Sequence, residues 1–240
     1  MKILYDLSHW NHYPTGSNTA KPHNYAEASK HADAFILKCS DPEVKNGHDE
    51  FHTQDFEGFA AQGKPVAEYL FYDPSTSPRD QVNLYMTHSK RGFLDALDLE
   101  DQENASSSGL TQGVAGSLRE LAQRTGRLPW LYSNLDYLDN RLLESMAGLI
   151  AGLWLGWPSP LSQTFPTPRR YARSAVGIWQ RSWAHPLPGT ARPQSDYNEW
   201  QWDDELWAKL IGGLPVWDNL SEGDHWALMK KLAKSHNLAI

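Results

Sequence analysis

Short apolar segments recur along this chain at intervals that leave room for a helix between most of them. Strands are predicted near residues 2–7, 34–39, 65–71, 94–99, 128–133, 151–156 and 174–180, with a short last strand near 195–199. This alternation predicts parallel strands joined through βα units. Because 240 residues can bury one large core, we expect a single α/β barrel.

Between the predicted strands, helical patterns are confined to the first part of the chain. Apolar spacing predicts helices over residues 51–62 and 77–89, the second with Pro78 in its first turn, and a third that ends at Gly126. After about residue 150 the helical signal between strands fades. We therefore expect an irregular barrel with fewer helices in its C-terminal half.

Two carboxylates end the apolar segment Leu94 to Asp101. Side chains on a strand alternate between faces, so Asp98 and Glu100 lie on one face and Leu97 and Leu99 on the other. Two carboxyl groups held close together cannot both ionise freely, which lets one act as an acid while the other stays charged. A strand that simply runs out into a solvated acidic loop is the alternative interpretation.

Two further aspartates occur in similar settings. Asp6 lies at the end of the first predicted strand, and Asp196 lies at the last one. The carboxyl ends of parallel barrel strands open on one face, so these acids can meet Asp98 and Glu100 there. Such a cluster could also hold Mg²⁺ in a metal-dependent phosphoesterase.

Eight segments, in this order, resemble the family 25 glycoside hydrolases, which are N-acetylmuramidases that cut bacterial peptidoglycan. They cover about residues 3–200 and are Asp6-Leu7-Ser8-His9-Trp10, Phe35-Ile36-Leu37-Lys38, Tyr69-Leu70-Phe71, Asp98-Leu99-Glu100, Trp130-Leu131-Tyr132-Ser133, Leu153-Trp154-Leu155, Trp179-Gln180 and Asp196-Tyr197-Asn198. The resemblance implies a TIM-like barrel and a retaining hydrolase acting on the β-1,4 bond between N-acetylmuramic acid and N-acetylglucosamine.

By this resemblance Glu100 is the acid and base, Asp98 is its charged partner, and Asp6 and Asp196 position the substrate. Either the 2-acetamido group of the substrate or a carboxylate could be the nucleophile. Leu70 stands where the family often has His, which implies one missing polar contact to the sugar. A non-catalytic glycan-binding relative is the other alternative.

Aromatic residues at the strand ends are candidates for stacking on sugar rings. The predicted substrate contacts are Trp10, Tyr69, Phe71, Tyr132 and Trp179, whereas Trp154 is predicted to be core.

Charge and composition argue against other functions. The net charge of −7 disfavours nucleic-acid binding, although it also gives no steering toward an anionic cell wall. The histidines show no metal-binding spacing, and His9 and His12 are expected at a polar surface, so no metal or other cofactor is predicted. No apolar stretch reaches the ~20 residues needed to cross a membrane. Separately, we expect the protein to be a monomer.

The two ends of the sequence give two further expectations. Residues 1–205 are predicted to form the barrel, and residues 206–240 a helical extension packed on it, with one helix near Leu206 and a second opening at Ser221. No basic and apolar leader is visible before the first strand, which leaves the site of action open.

Overall fold

Eight strands form a closed barrel, in chain order, in the computed structural model. The structure describes residues 1–44, 46–159, 164–192 and 194–212. The strands are β1 (Ile3–Leu7), β2 (Ala34–Ser40), β3 (Val66–Phe71), β4 (Asp95–Leu99), β5 (Trp130–Asn134), β6 (Gly152–Gly156), β7 (Val176–Pro186) and β8 (Gln194–Trp200). All eight predicted strands are present.

The last strand runs in the opposite direction to the other seven. β1 to β7 pair in parallel, whereas β8 pairs antiparallel with both β7 and β1. The expectation of parallel strands is wrong for β8. Only residues 187–193 separate β7 from β8, and a parallel crossover needs a dozen or more residues.

Helices cover the outside of the first half of the barrel. They are α1 (Tyr25–Ala28), α2 (His52–Ala60), α3 (Pro78–His88) and α4 (Ser107–Thr125), while α5 (Asp204–Gly212) follows the last strand. Ser77 caps the start of α3 just before Pro78, and Gly126 ends α4 with a φ of 76°, a conformation that glycine adopts without strain. Between β5 and β7 the described connections contain only single helical turns, which confirms the irregular barrel.

The strands separate two apolar layers because their side chains alternate between the two faces. The residues inside the barrel are mainly small or aromatic and include Ala34, Ile36, Ala67, Ala96, Trp130, Trp154 and Ile178. The residues outside pack beneath α3 and α4 and include Leu70, Leu97, Leu99, Leu131, Leu153, Leu155 and Trp179. Asp98 therefore points into the barrel between two leucines that point out.

Helix α5 packs on the aromatic end of the barrel core. The ring centroid of Trp207 lies 5.2 Å from that of Trp200 and 5.9 Å from that of Phe93, and the residue is 4% exposed. The helix predicted to open at Ser221 lies outside the described residues, so the division at residue 205 stays a prediction. Within the described ranges, no helix is long and apolar enough to cross a membrane.

Replacing Trp207 by alanine tests whether α5 is part of the barrel core. We expect Trp207→Ala to lower the free energy of unfolding by about 3–5 kcal/mol, because it removes a large buried ring. Chemical denaturation followed by circular dichroism measures the change. Lys209→Ala, which breaks an exposed ion pair with Glu205 on the same helix, should change stability by no more than about 0.5 kcal/mol. Equal small effects of the two substitutions would contradict the packing of α5.

Candidate active site

A polar pocket opens at the carboxyl ends of the parallel strands. It is lined by Asp6, Tyr69, Asp98, Glu100, Tyr132, Trp154, Gln180, Trp183 and Asp196. All four acids singled out from the sequence thus meet in one place. Asp196 reaches this face from the start of β8 because that strand is antiparallel, and it lies opposite Asp6 in the register of β1 and β8.

Asp98 lies within β4 and Glu100 lies just beyond its end, on the same side of the strand. Asp98 is 6% exposed, and its Oδ1 has no hydrogen-bond partner among the described residues. Burial raises the pKa of Asp98 well above its ordinary value, and the negative charge of Glu100 raises it further. Burial also raises the pKa of Glu100. Burial and mutual repulsion therefore oppose the simultaneous ionisation of both members of the pair.

Asp6 and Asp196 form a second pair of carboxyl groups. Oδ2 of Asp6 accepts hydrogen bonds from the side-chain amides of Asn198 at 2.7 Å and Gln180 at 3.2 Å. Burial raises the pKa of Asp6 to about 6, whereas burial and the charge of Asp6 raise the pKa of Asp196 to about 9. Asp6 is consequently the anion of this pair, and Asp196 keeps its proton at neutral pH.

Lys38 brings a positive charge to the acids from β2. Its Nζ lies 2.9 Å from Oδ2 of Asp41 and 4.4 Å from the ring centroid of Phe71. The lysine lowers the pKa of both Asp98 and Glu100 against the effect of burial. The sequence analysis did not single it out as a site residue, although a lysine inside an apolar strand is a signal that could have been used.

The predicted aromatic contacts are only partly brought together. Tyr69 and Tyr132 line the pocket, and Phe71 lies at the end of β3 beneath Lys38. Trp10 is 60% exposed beside His9 and is not among the lining residues. Trp179 is 2% exposed on the outer side of β7, where its Nε1 donates to the carbonyl of Trp157. Trp179 therefore offers no face to a sugar.

Other positions correct the sequence interpretation in detail. Leu70 points out of the barrel into the layer beneath the helices, so its identity does not remove a contact inside the pocket. Trp154, predicted to be core, is buried but also lines the pocket, and its Nε1 donates to Oδ1 of Asn198 at 2.7 Å. Gln180 and Trp183 were missed as site residues. For Gln180 the signal was the alternation along β7, which places it on the face opposite Trp179. Alternation gives no such signal for Trp183, because the register between β7 and β8 shifts after Gln180.

His12 is not at a polar surface, as the sequence analysis expected. It is completely buried, its Nε2 lies 2.9 Å from Oδ2 of Asp55, and its ring stacks on His23 with 3.9 Å between centroids. The expectation failed because residues far apart in the sequence enclose this histidine. The cluster contains none of the residues that line the pocket.

A closed barrel with four carboxyl groups in a pocket at the strand ends provides the acids and bases that carboxyl-based catalysis uses. The sequence profile described as "Glycosyl hydrolases family 25" matches residues 6–190. The chain belongs to this family and is a glycoside hydrolase. No curated protein sequence matches this chain in a sequence search.

Solved structures of similar fold include three that are named lysozyme or muramidase. The lysozyme from Streptomyces coelicolor superposes with a TM-score of 0.74 at 16% identity, covering 88% of this chain and 97% of that chain. A muramidase from Acremonium alcalophilum gives 0.70 at 18% identity, covering 89% of this chain and 100% of that chain. A family 25 lysozyme from Aspergillus fumigatus gives 0.68 at 17% identity, covering 88% and 98% respectively. At these identities the likeness establishes the fold.

The retained proton of Asp196 predicts a stability that depends on pH. A carboxyl with a raised pKa in the folded state ionises at a lower pH in the unfolded chain than in the folded protein. The free energy of unfolding therefore falls as the pH rises from the unfolded pKa to the folded pKa. Burial and Asp6 raise the pKa of Asp196 to about 9, so the wild type loses stability as the pH rises from about 4 toward that value. Asp196→Asn should therefore gain stability relative to wild type, by more than about 1 kcal/mol between about pH 5 and about pH 8.

Urea denaturation of both proteins at the two pH values measures this difference. Glu144→Gln, a change at an exposed carboxylate, should differ from wild type by no more than about 0.5 kcal/mol at either pH. The same stability difference for Asp196→Asn at both pH values would show that Asp196 is ionised in the folded protein.

Proposed function

We propose that this chain is a retaining N-acetylmuramidase that hydrolyses the β-1,4 bond between N-acetylmuramic acid and N-acetylglucosamine in peptidoglycan. The observation that carries the proposal is the pair of Asp98 and Glu100 on one face of β4, both lining the pocket of a family 25 chain. Similar folds in proteins named lysozyme and muramidase support the choice of substrate.

Glu100 is the proton donor in this proposal. Cleavage of a glycoside needs a proton on the leaving oxygen as the bond from that oxygen to C1 breaks. Burial raises the pKa of Glu100, which favours a carboxyl that carries a proton and gives it up during the reaction. The resulting carboxylate then takes a proton from the water that attacks C1, which restores the acid.

Asp98 is the charged partner of the developing cation at C1. Its free Oδ1 can accept a hydrogen bond from the N–H of the 2-acetamido group of the substrate. That contact would turn the acetamido oxygen toward C1 and stabilise the positively charged oxazolinium that forms when this oxygen attacks. Direct attack by Asp98 on C1 is the alternative route, and both routes proceed by double displacement with retention.

Asp6 and Asp196 position the substrate from the opposite wall. Asp6 is held as an anion by two amides, and protonated Asp196 beside it can donate or accept a hydrogen bond. Tyr69 and Tyr132 offer aromatic faces or hydroxyls to a sugar ring from within the pocket. The glycan strand of peptidoglycan is the expected partner.

Substitution of the central pair tests these roles. Glu100→Gln should keep the fold but lower turnover of purified peptidoglycan by at least ~10²-fold, because the amide cannot deliver a proton. Asp98→Asn should be nearly as damaging, because it removes the charge that faces the transition state. Glu103→Gln, which changes an exposed acid a few residues further on, is the matched control and should retain wild-type turnover. Near-normal activity of a folded Glu100→Gln protein would overturn the assignment.

The products identify both the bond that is cut and the stereochemistry. Borohydride reduction of the soluble fragments followed by acid hydrolysis should yield muramicitol, and the fresh product should be the β-anomer. As same-face neighbours at one strand end, Asp98 and Glu100 leave little room for a water between carboxyl and sugar, which favours retention. Glucosaminitol would indicate a glucosaminidase, an α-anomer an inverting enzyme, and no new reducing ends a glycan-binding protein. Loss of activity in EDTA would instead favour the metal-dependent chemistry that the acids alone also allow.

A further inference from the structure

A chain of hydrogen bonds connects the rim of the pocket to Glu100. Nε1 of Trp183 lies 2.8 Å from Oε1 of Gln180, and the hydroxyl oxygen of Tyr132 lies 2.8 Å from the same Oε1. The hydroxyl oxygen of Tyr132 also lies 3.1 Å from Oε1 of Glu100. Four side chains from β4, β5 and β7 are therefore joined in one series of hydrogen bonds.

Trp183 fixes which end of the Gln180 amide faces Tyr132. The indole N–H can only donate, so the atom of Gln180 that it contacts must be the amide oxygen. The other end of the amide lies 3.2 Å from Oδ2 of Asp6 and 3.5 Å from Oδ2 of Asp196, which suits an NH₂ donor. A flipped amide would bring N–H against N–H at Trp183 and oxygen against carboxylate at Asp6.

The single proton of the Tyr132 hydroxyl then has to serve two neighbouring oxygens. The amide oxygen of Gln180 cannot donate, so the 2.8 Å contact is favourable only if Tyr132 donates to it. The hydroxyl oxygen of Tyr132 is left as an acceptor toward Glu100. The 3.1 Å contact is then a hydrogen bond only if Glu100 carries a proton and donates it.

We propose that Gln180 and Tyr132 are positioning residues that hold the catalytic proton on Glu100 and thereby leave the negative charge of the central pair on Asp98. The assignment deepens the proposed function and rests on it for the word catalytic. It explains how two neighbouring carboxyls at one strand end take different roles, since Glu100 has an acceptor for a carboxyl proton and Oδ1 of Asp98 has no partner among the described residues.

The other charges around Glu100 come from four strands. They are Asp98 on β4, Lys38 on β2, Asp6 on β1 and Asp196 on β8. Tyr137, after β5, also lies within the electrostatic influence of Glu100. Substitution of Tyr132 leaves the contacts of Asp6 unchanged, whereas substitution of Gln180 also removes an amide that donates to Asp6 and therefore needs a control for that loss.

The side-chain carboxyl of Glu100, followed by ¹³C NMR during a pH titration of the free protein, provides the readout. Tyr132→Phe removes the acceptor for the Glu100 proton, so the midpoint of the titration should fall by about 0.5 pH unit or more. If Tyr132 instead donated to an ionised Glu100, the same substitution would raise the midpoint. The sign of the shift therefore decides between the two proton arrangements.

Gln180→Met gives an independent test of the same chain. Without the amide oxygen, Tyr132 is free to donate to the Glu100 carboxylate, and the midpoint should again fall. Asn198→Ala is the matched control, because it also removes a donor to Asp6 but does not touch Tyr132. The control should leave the Glu100 midpoint within about 0.2 pH unit of wild type, a shift small against the scale of hydrogen-bond effects on carboxyl groups. An equal fall in Asn198→Ala and Gln180→Met would assign the effect to Asp6 and overturn the proposal.

Trp183→Phe keeps the proposal testable if substitution of the buried residues Tyr132 or Gln180 prevents folding. Trp183 is 61% exposed, so its replacement leaves the core untouched while removing the N–H that orients Gln180. The midpoint should fall in the same direction by a smaller amount, and an unchanged or raised midpoint would contradict the assignment. Because the titration uses free protein, it reports the proton arrangement even if the product analysis were to show no muramidase activity.

Discussion

Four carboxyl groups share one pocket, and burial makes their simultaneous ionisation costly. Asp6, Asp98, Glu100 and Asp196 all have pKa values raised by desolvation, and each also responds to the charge of at least one other group in the pocket. The pocket must therefore keep some of its protons at neutral pH. Where those protons reside decides which acid can donate, which can stabilise positive charge, and which amides must face inward.

Amides, a hydroxyl and one cation surround the four carboxyl groups. Asn198 and Gln180 donate to Asp6, and Oε1 of Gln180 accepts from the hydroxyl of Tyr132, which also contacts Glu100. Lys38 supplies positive charge near the central pair but is itself shared with Asp41. Amides and hydroxyls are neutral, so these hydrogen bonds can make the four acids differ in protonation without adding a second positive charge.

The interior of the barrel provides the rigidity that such a network needs. Aromatic rings pack inside the barrel, and Trp154 belongs both to this inner core and to the pocket, where its Nε1 donates to Asn198. The outer leucines bind the same strands to α3 and α4. Apolar packing on the inner and outer faces of the strands therefore holds the residues that line the pocket in place.

The sequence by itself determined the strands, the main helices of the first half, and the face on which Asp98 and Glu100 lie. These features follow from local rules, namely side-chain alternation, helix capping and apolar spacing, which act within a few residues. The same alternation would have placed Trp179 outside and Gln180 inside, had it been applied to β7. The resemblance in the order of eight segments identified the family.

Only the tertiary structure decided the direction of β8, the burial of His12 and the hydrogen-bond chain from Trp183 to Glu100. The short link after β7 excludes a crossover, and antiparallel pairing then carries Asp196 to the same end as Asp6. His12 is enclosed by Asp55 and His23, and Tyr132 meets Gln180 across 48 positions of sequence. Contacts of this range depend on barrel closure, and no local pattern of residues encodes which donor will find which acceptor.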